Sequence, residues 1–244
     1  MSKKNYILIV FEGERTEEII FNSLTEHFLQ DKTNRIIYSF HCGEIYSLYN
    51  KLQKPETESL FFILKETLQM KNPVLKDIIE EYVESIYMFF DYDNHAPTAD
   101  DDKLQNMIEF FDDEFENGKL FISYPMVESI KHLKVGIDFK EITAISEKAY
   151  KQIARNNCND YLKQFGELKE NKLLKENWDY IINEHCKKAN FIVNDSFEFP
   201  NNIIEQIEIF ESQKEKYIDS NKVAVLSAFP LFLLDYHGVN KLKD

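Results

Sequence analysis

The chain of 244 residues carries 43 acidic and 29 basic side chains, a formal net charge of −14. That excess excludes a broadly basic protein that coats DNA without specificity, and equally a binder of anionic membranes. It leaves room for a local nucleic-acid site, or for a site where metal ions offset clustered carboxylates. With 43% hydrophobic and 30% charged residues, the chain is expected to fold as an ordinary globule of one or two domains.

Cys42, Cys158 and Cys186 lie far apart and form no CxxC pair, which points to a reducing, cytoplasmic setting rather than a disulfide framework or a closed zinc site. No stretch approaches the roughly 20 apolar residues that a membrane helix needs. The apolar run 6–11 ends in Glu12 with no small-residue cleavage site, unlike a secretory signal. Twenty Phe and 13 Tyr against six Gly and six Pro suggest long helices around an aromatic-rich core.

In chain order, residues 6–11 (YILIVF) form a continuous apolar run, the pattern of a strand buried on both faces. Glu12-Gly13-Glu14 breaks it. Thr16 is placed to cap the helix that follows, with Glu17 and Glu18 in the first turn, where the helix dipole favours anions. Ile20, Leu24 and Phe28 give that helix its apolar stripe. Residues 35–41 read as a second strand. Residues 44–70 read as helical with a break near Pro55, and a further helix is predicted from Asn72-Pro73 to Tyr82. Residues 85–90 (SIYMFF) form a third apolar strand, stopped by Asp91-Tyr92-Asp93-Asn94-His95. A helix carrying Leu104, Met107, Ile108 and Phe111 follows, and residues 120–124 (LFISY) make a fourth strand before Pro125.

This β-α-β-α-β-α-β order, with strands apolar on both faces, predicts an α/β fold: a parallel four-stranded sheet flanked by helices. The first domain is read as residues 1–137, with a helical insertion at about 55–82. Residues 138–244 are read as a mostly helical C-terminal lobe, with helices predicted over 140–158, 160–175, 178–190 and 203–219. The apolar segment 223–236, divided by Pro230, is expected to pack across the core.

Ligands of open parallel sheets bind at the carboxyl ends of the strands. Carboxylates collect there in this sequence: Glu12 and Glu14 after the first strand, Asp91 and Asp93 after the third, Glu128 after the fourth. Converging carboxylates repel one another unless a cation is present, and Mg²⁺ or Mn²⁺ prefers such oxygen ligands. Each acid taken singly also fits a solvated loop or a helix cap; the combination is what points to a site. Lys148, Lys151 and Arg155 share one predicted helix face, as do Lys169, Lys172 and Lys175. Interleaved glutamates make a solvated face the simpler reading of both. No GxxxxGK[ST], GxGxxG, GxSxG or HxxxH occurs.

The strand ends ILIVFEG (Glu12, Gly13) and YMFFDYD (Asp91, Asp93) resemble the Toprim domain, the metal-dependent fold of topoisomerases, bacterial primases and several nucleases. The extended EGERTEEIIF and the later SYPMVESI resemble the overcoming-lysogenization-defect and RloB-like Toprim nucleases of bacterial phage defence. The resemblance covers about residues 5–135 and implies a Mg²⁺- or Mn²⁺-dependent nuclease of DNA or RNA, tRNA included, with one or two ions. It implies Glu12 as general acid/base or metal ligand, and Asp91 and Asp93 as metal ligands. Glu17, Glu14 and Glu128 are candidates for a second ion. Some relatives carry an acid four residues past the glutamate, where Thr16 stands here. Gly13 would let the backbone turn beside the site. Lys131 would stabilise transition-state charge, with Lys134 and His95 as further substrate-binding candidates; the plain alternative for each is a surface side chain. The implied partners are nucleic acid and a separate ABC- or SMC-type ATPase; a homodimer through the C-terminal lobe is a further arrangement the chain allows. A catalytically silent Toprim-like module that binds a partner or nucleic acid is the rival reading, and a phosphotransferase of small nucleotides a weaker third.

Overall fold

The run of apolar and β-branched residues at 6–11 does form a doubly buried strand. Ile7 to Phe11 are each exposed by 2% or less in β1 (Asn5–Phe11). The computed structural model describes residues 5–29, 35–42, 45–53, 59–92, 100–145, 149–169 and 172–243. After β1 come α1 (Thr16–Phe28), β2 (Arg35–His41), α2 (Ile45–Leu52), α3 (Leu60–Leu68), β3 (Val83–Asp91), α4 (Asp101–Phe110), β4 (Asp112–Asp113) and β5 (Gly118–Ser123). The second half adds β6 (Thr143–Ala144), α5 (Tyr150–Asn156), α6 (Lys175–Asn194), α7 (Gln206–Lys216), β7 (Val223–Ala224), α8 (Ala228–His237) and α9 (Val239–Lys243).

The protein is an α/β protein with a mostly parallel, mixed five-stranded sheet and a helical C-terminal region. The strand order is β2-β1-β3-β5-β4. The four expected strands pair in parallel, and the two-residue β4 adds an antiparallel edge beside β5. From β1 the chain crosses to β2 on one side, then returns over β1 to β3 on the other. The strand order therefore reverses between β1 and β3, and a crevice forms where such crossovers diverge.

Several expected helices are shorter or replaced. Residues 44–70 divide into α2 and α3, and residues 54–58, Pro55 among them, lie outside the described residues. The helix expected over 72–82 is instead two 3-10 turns, Pro73–Lys76 and Glu80–Tyr82, parted by an extended Ile79. The Lys65 ammonium donates to the Ile78 carbonyl at 2.7 Å, and Leu75 and Ile78 are buried as separate anchors. Among the described residues of 140–158 only α5 is a regular helix. Thr143 and Ala144 pair with Ala224 and Val223 instead, and the buried Lys188 ammonium donates to the Phe139 and Ile142 carbonyls at 2.8 and 2.5 Å. Over 160–175 there is a 3-10 turn, Asp160–Leu162, and then a loop in which Gly166 adopts φ +78°. A Cβ on Gly166 would meet the Thr16 methyl at 3.1 Å, so glycine serves both the left-handed torsion and the close approach to α1. The third strand begins earlier than expected and includes Asp91 itself, while Tyr124 lies past the fourth, in an isolated bridge to Leu226.

The C-terminal segment does pack across the core. Pro230 is the third residue of α8, in the first turn, where its missing N–H costs nothing. Phe232 of α8 packs against Tyr87 and Phe89 of β3 at ring-centroid distances of 5.0 and 5.3 Å, and Phe229 stacks on Phe89 at 4.8 Å. Lys119 of β5 and Asp235 of α8 form a largely buried ion pair at 2.6 Å. Among the described residues no helix is long and apolar enough to cross a membrane.

Two predictions follow from this packing. Phe232→Ala leaves a void among five aromatic rings, and is expected to lower unfolding free energy by about 3–5 kcal/mol in urea denaturation. The second concerns pH. Burial, with the nearby Lys188 adding to it, lowers His185 to about 3 and His132 to about 4. The native state holds both neutral, while the unfolded chain takes up protons from about pH 6.5 downward. Their contribution is therefore complete above pH 6.5 and is lost as pH falls toward 4. Thermal melts from pH 7.5 to 5 should show a progressive fall of about 1–3 kcal/mol; a flat profile across that window contradicts the assignment.

Candidate active site at the carboxyl ends of the strands

Because β1 and β3 are hydrogen-bonded neighbours, the residues that follow them emerge side by side. The Glu12 N–H donates to the Phe89 carbonyl at 3.1 Å, carrying the ladder one residue past β1. The Glu12 carboxylate then turns across and accepts the Asp91 N–H at 3.0 Å through Oε2. The sequence motif Glu-Gly and the end of the third strand thus lock together through one side-chain to backbone bond.

Glu17 reaches the same place from α1. The expected cap at Thr16 does not form: Thr16 is the first helical residue, and Arg15 before it makes no side-chain capping bond. Instead the Glu17 carboxylate accepts the Gly13 N–H at 2.8 Å, and Glu17 is only 6% exposed. A Cβ on Gly13 would lie 2.4 Å from Glu17 Oε1. Gly13 has no positive φ, so here glycine meets a need for space and not for an unusual torsion.

Glu128 arrives from the far side, on the 3-10 turn Val127–Lys131, in which every residue is buried. The C-terminal half fixes that turn. Tyr124 and Leu226 exchange backbone bonds at 2.8 and 2.9 Å, and the Ser129 hydroxyl donates to the Leu226 carbonyl at 3.0 Å.

Asp91 feels all three neighbours. Burial pushes its carboxyl well above the usual carboxylate range, and the charges of Glu12, Glu17 and Glu128 push it further; the Val127 N–H bonded to it acts the other way. The residue keeps some surface exposure while the carboxyl itself is withdrawn from solvent. Four carboxylates therefore meet near one crevice, and Asp91 has a raised affinity for a proton there.

The remaining expected site residues fall elsewhere. Glu14 is mostly exposed and turns to His41, at 3.4 Å. Lys131 is 2% exposed, not a surface side chain; its ammonium bonds the Glu167 carboxylate at 3.2 Å and the Phe165 carbonyl at 3.4 Å. Lys134 is exposed, on the side of Cys158 and Asp160. Asp93 and His95 lie outside the described residues, as does Lys148.

The structure adds groups the sequence reading set aside. Lys151 of α5 meets Glu128 Oε1 at 2.8 Å, a bond that raises the Lys151 ammonium above its ordinary value, with Glu167 and Glu17 adding to it. One turn along, Arg155 meets Glu167 at 3.5 Å, and Arg15 donates to the Glu167 carbonyl at 3.0 Å. A cationic bank of Arg15, Lys131, Lys151 and Arg155 thus borders the acids. Of its members the sequence reading named Lys131, while Lys151 and Arg155 were signalled only by their i, i+4 spacing. The other stripe is local surface pairing: Lys172 with Glu26, and Lys175 with Asp179 at 2.9 Å.

An all-oxygen donor set of this kind suits a hard divalent cation. Among the described residues, however, no three His, Cys, Asp or Glu side chains stand in position to hold one metal ion. Two of the acids are engaged, Glu12 with the Asp91 N–H and Glu128 with Lys151. No protein-family model matches the chain, and comparison with curated proteins and with solved structures gives no match either.

Removing one charge from this group should relieve repulsion. Asp91→Asn is expected to raise the melting temperature in EDTA by a few degrees, on the order of 1 kcal/mol; a lower melting temperature would show that Asp91 is held by attraction instead. Gly13→Ala should push the Glu17 carboxylate off the Gly13 N–H. Because the obstructing atoms are the end of a flexible side chain, the expected stability cost, read by urea denaturation, is below about 1.5 kcal/mol.

Proposed function

We propose that this protein is a Mg²⁺-dependent phosphodiesterase of nucleic acid, a Toprim-type nuclease acting on DNA or RNA. The observation that carries the reading is the convergence of Glu12, Glu17, Asp91 and Glu128 on the crevice between β1 and β3. Strand order and residue types agree with the Toprim resemblance of the Glu-Gly and Asp-x-Asp strand ends. A bound divalent cation in such a site polarises phosphate oxygens and makes water a nucleophile at neutral pH. Glu12, Asp91, Glu17 and Glu128 would have to close on one point to hold it, since among the described residues no three stand so placed, and Asp93 is the motif's second aspartate.

The chain's own groups have separable tasks. Glu12 bridges the two strand ends and fixes the position of Asp91 by accepting its N–H. Asp91, with its raised affinity for a proton, holds or releases one according to the charge around it. Lys151 and Arg155, exposed members of the bank, offer the phosphate backbone local attraction that a net charge of −14 does not supply overall. Control by a separate ATPase, in a phage-defence setting, belongs to the same reading through the defence-group resemblance.

A second reading, a silent module that binds a partner or nucleic acid without cutting, is favoured by two observations. Glu128 already has a cationic partner, and no ligand triad is assembled among the described residues.

Plasmid DNA, single-stranded DNA and total tRNA incubated with Mg²⁺ or Mn²⁺ separate the two. Wild type should cleave one class, and Glu12→Ala or Asp91→Ala should reduce the rate by about 10²–10³-fold. A fully active double variant sinks the nuclease reading. Mg²⁺ binding without turnover, even with an ATPase partner present, favours the silent module.

A further inference from the structure

The amino ends of the strands, at the far side of the sheet from the acids, border two adjoining cavities. Ser85 lines one of them and Asp91 ends the same strand, about 20 Å away along β3. The first cavity, of about 330 Å³, is lined by Tyr87 of β3, Phe28 of α1, Tyr236 of α8 and Glu114 before β5. The second, of about 430 Å³, is lined by Lys175 and Asn183 of α6 and by Lys241 and Lys243 of α9. Phe28, His237 and Lys241 border both, so the two join into one cleft. Each volume is that of a small-molecule site. The charges left uncommitted at the two ends are opposite. In the first cavity Asp235 is already bonded to Lys119 at 2.6 Å, while Glu114 has no ion pair; Tyr87 and Asp235 both feel its negative charge. In the second, Lys175 is held by Asp179 at 2.9 Å, whereas Lys241 and Lys243 are exposed and have no carboxylate partner. On a chain of net charge −14, two uncommitted ammonium groups at the rim of one cleft are a local exception.

We propose that this cleft binds a guanine nucleotide, with the base in the aromatic cavity and the phosphate at the lysine rim. Phe28, Tyr87 and Tyr236 give the inner cavity aromatic walls, and a nucleobase stacks on such walls whatever its identity. Selectivity then falls to Glu114. A carboxylate accepts two N–H donors side by side, and guanine alone among the four RNA bases carries a ring N–H next to an exocyclic amine. At the other end Lys241 and Lys243 meet the phosphate as mobile point charges. Asn183, between them and the inner cavity's border, supplies an amide for the ribose hydroxyls. A bare phosphate leaves Glu114 unused, and an uncharged nucleoside leaves the lysines unused. Only a ligand with an N–H edge at one end and negative charge at the other answers both. This site stands apart from the acids at the carboxyl ends of the strands and does not depend on the nuclease reading.

Titration calorimetry in EDTA tests it, with GMP, AMP, guanosine and inorganic phosphate as probes. GMP should bind wild type, with guanosine and phosphate each about tenfold weaker or worse and AMP about fivefold weaker. Glu114→Gln should weaken GMP about tenfold and abolish its advantage over AMP. Replacing Lys241 and Lys243 together by Gln should weaken GMP about tenfold while changing guanosine less than twofold. Asp91→Asn, at the other end of β3, should change GMP affinity less than twofold. Absence of GMP binding to wild type overturns the proposal. GMP binding no tighter than phosphate overturns it as well, since a simple ion effect then explains the heat. AMP binding as tightly as GMP rejects the role of Glu114. Loss of binding in Asp91→Asn but not in Glu114→Gln places the ligand in the acidic crevice and overturns the cleft. With divalent cations chelated and nothing cleaved, a negative result here leaves the nuclease reading standing, and a failure of cleavage leaves this site standing.

Discussion

Electrostatic repulsion among carboxylates held at the end of a buried sheet is the constraint on which the arrangement of this protein depends. Glu12, Glu17, Asp91 and Glu128 reach one crevice from four separate elements, and burial keeps water from screening them. Such a group is destabilising unless something offsets it. The structure offsets it in three ways: backbone N–H groups of Gly13, Asp91 and Val127 bond the acids, Asp91 favours a proton, and Lys151 covers Glu128.

The rest of the molecule supplies rigidity to that crevice. β3 lies between β1 and β5, and its aromatic residues meet α8 on one face, so the strand end carrying Asp91 has little freedom. The buried pair of Lys119 and Asp235 ties β5 to α8, and the Tyr124–Leu226 bridge ties the turn bearing Glu128 to the chain just before α8. The C-terminal helices are therefore part of what aims the acids. Like charges packed together must be held against their own repulsion, and a close-packed aromatic core does that more firmly than a loop.

The parallel sheet was legible because its strands are buried on both faces, which leaves unbroken apolar runs at 6–11 and 85–90. The site acids were legible for the related reason that polar residues directly after such runs must emerge at the strand ends. The C-terminal half was less so. Residues 140–175 carry a helical pattern of charged and apolar residues, yet long-range partners claim their backbone. Lys188 takes two carbonyls, β7 takes Thr143 and Ala144, and Gly166 bends the chain against α1. None of these partners is within twenty residues of what it alters, so no local period could reveal them. The same holds for Lys151 and Arg155. Their spacing with neighbouring glutamates looks like a solvated face, and only the distances to Glu128 and Glu167 give them another role.

Sequence by itself determined the α/β class, the parallel strands and the identity of the acids at their ends, because burial on two faces and the stop that follows it are local properties of the chain. Tertiary structure alone decided that β1 and β3 are neighbours, that Glu17 and not Thr16 completes the loop after β1, and that Glu128 faces a lysine from a helix more than twenty residues on. Those outcomes depend on which side of the sheet each crossover takes and on which buried charge finds which partner. Both are settled by packing the whole chain at once.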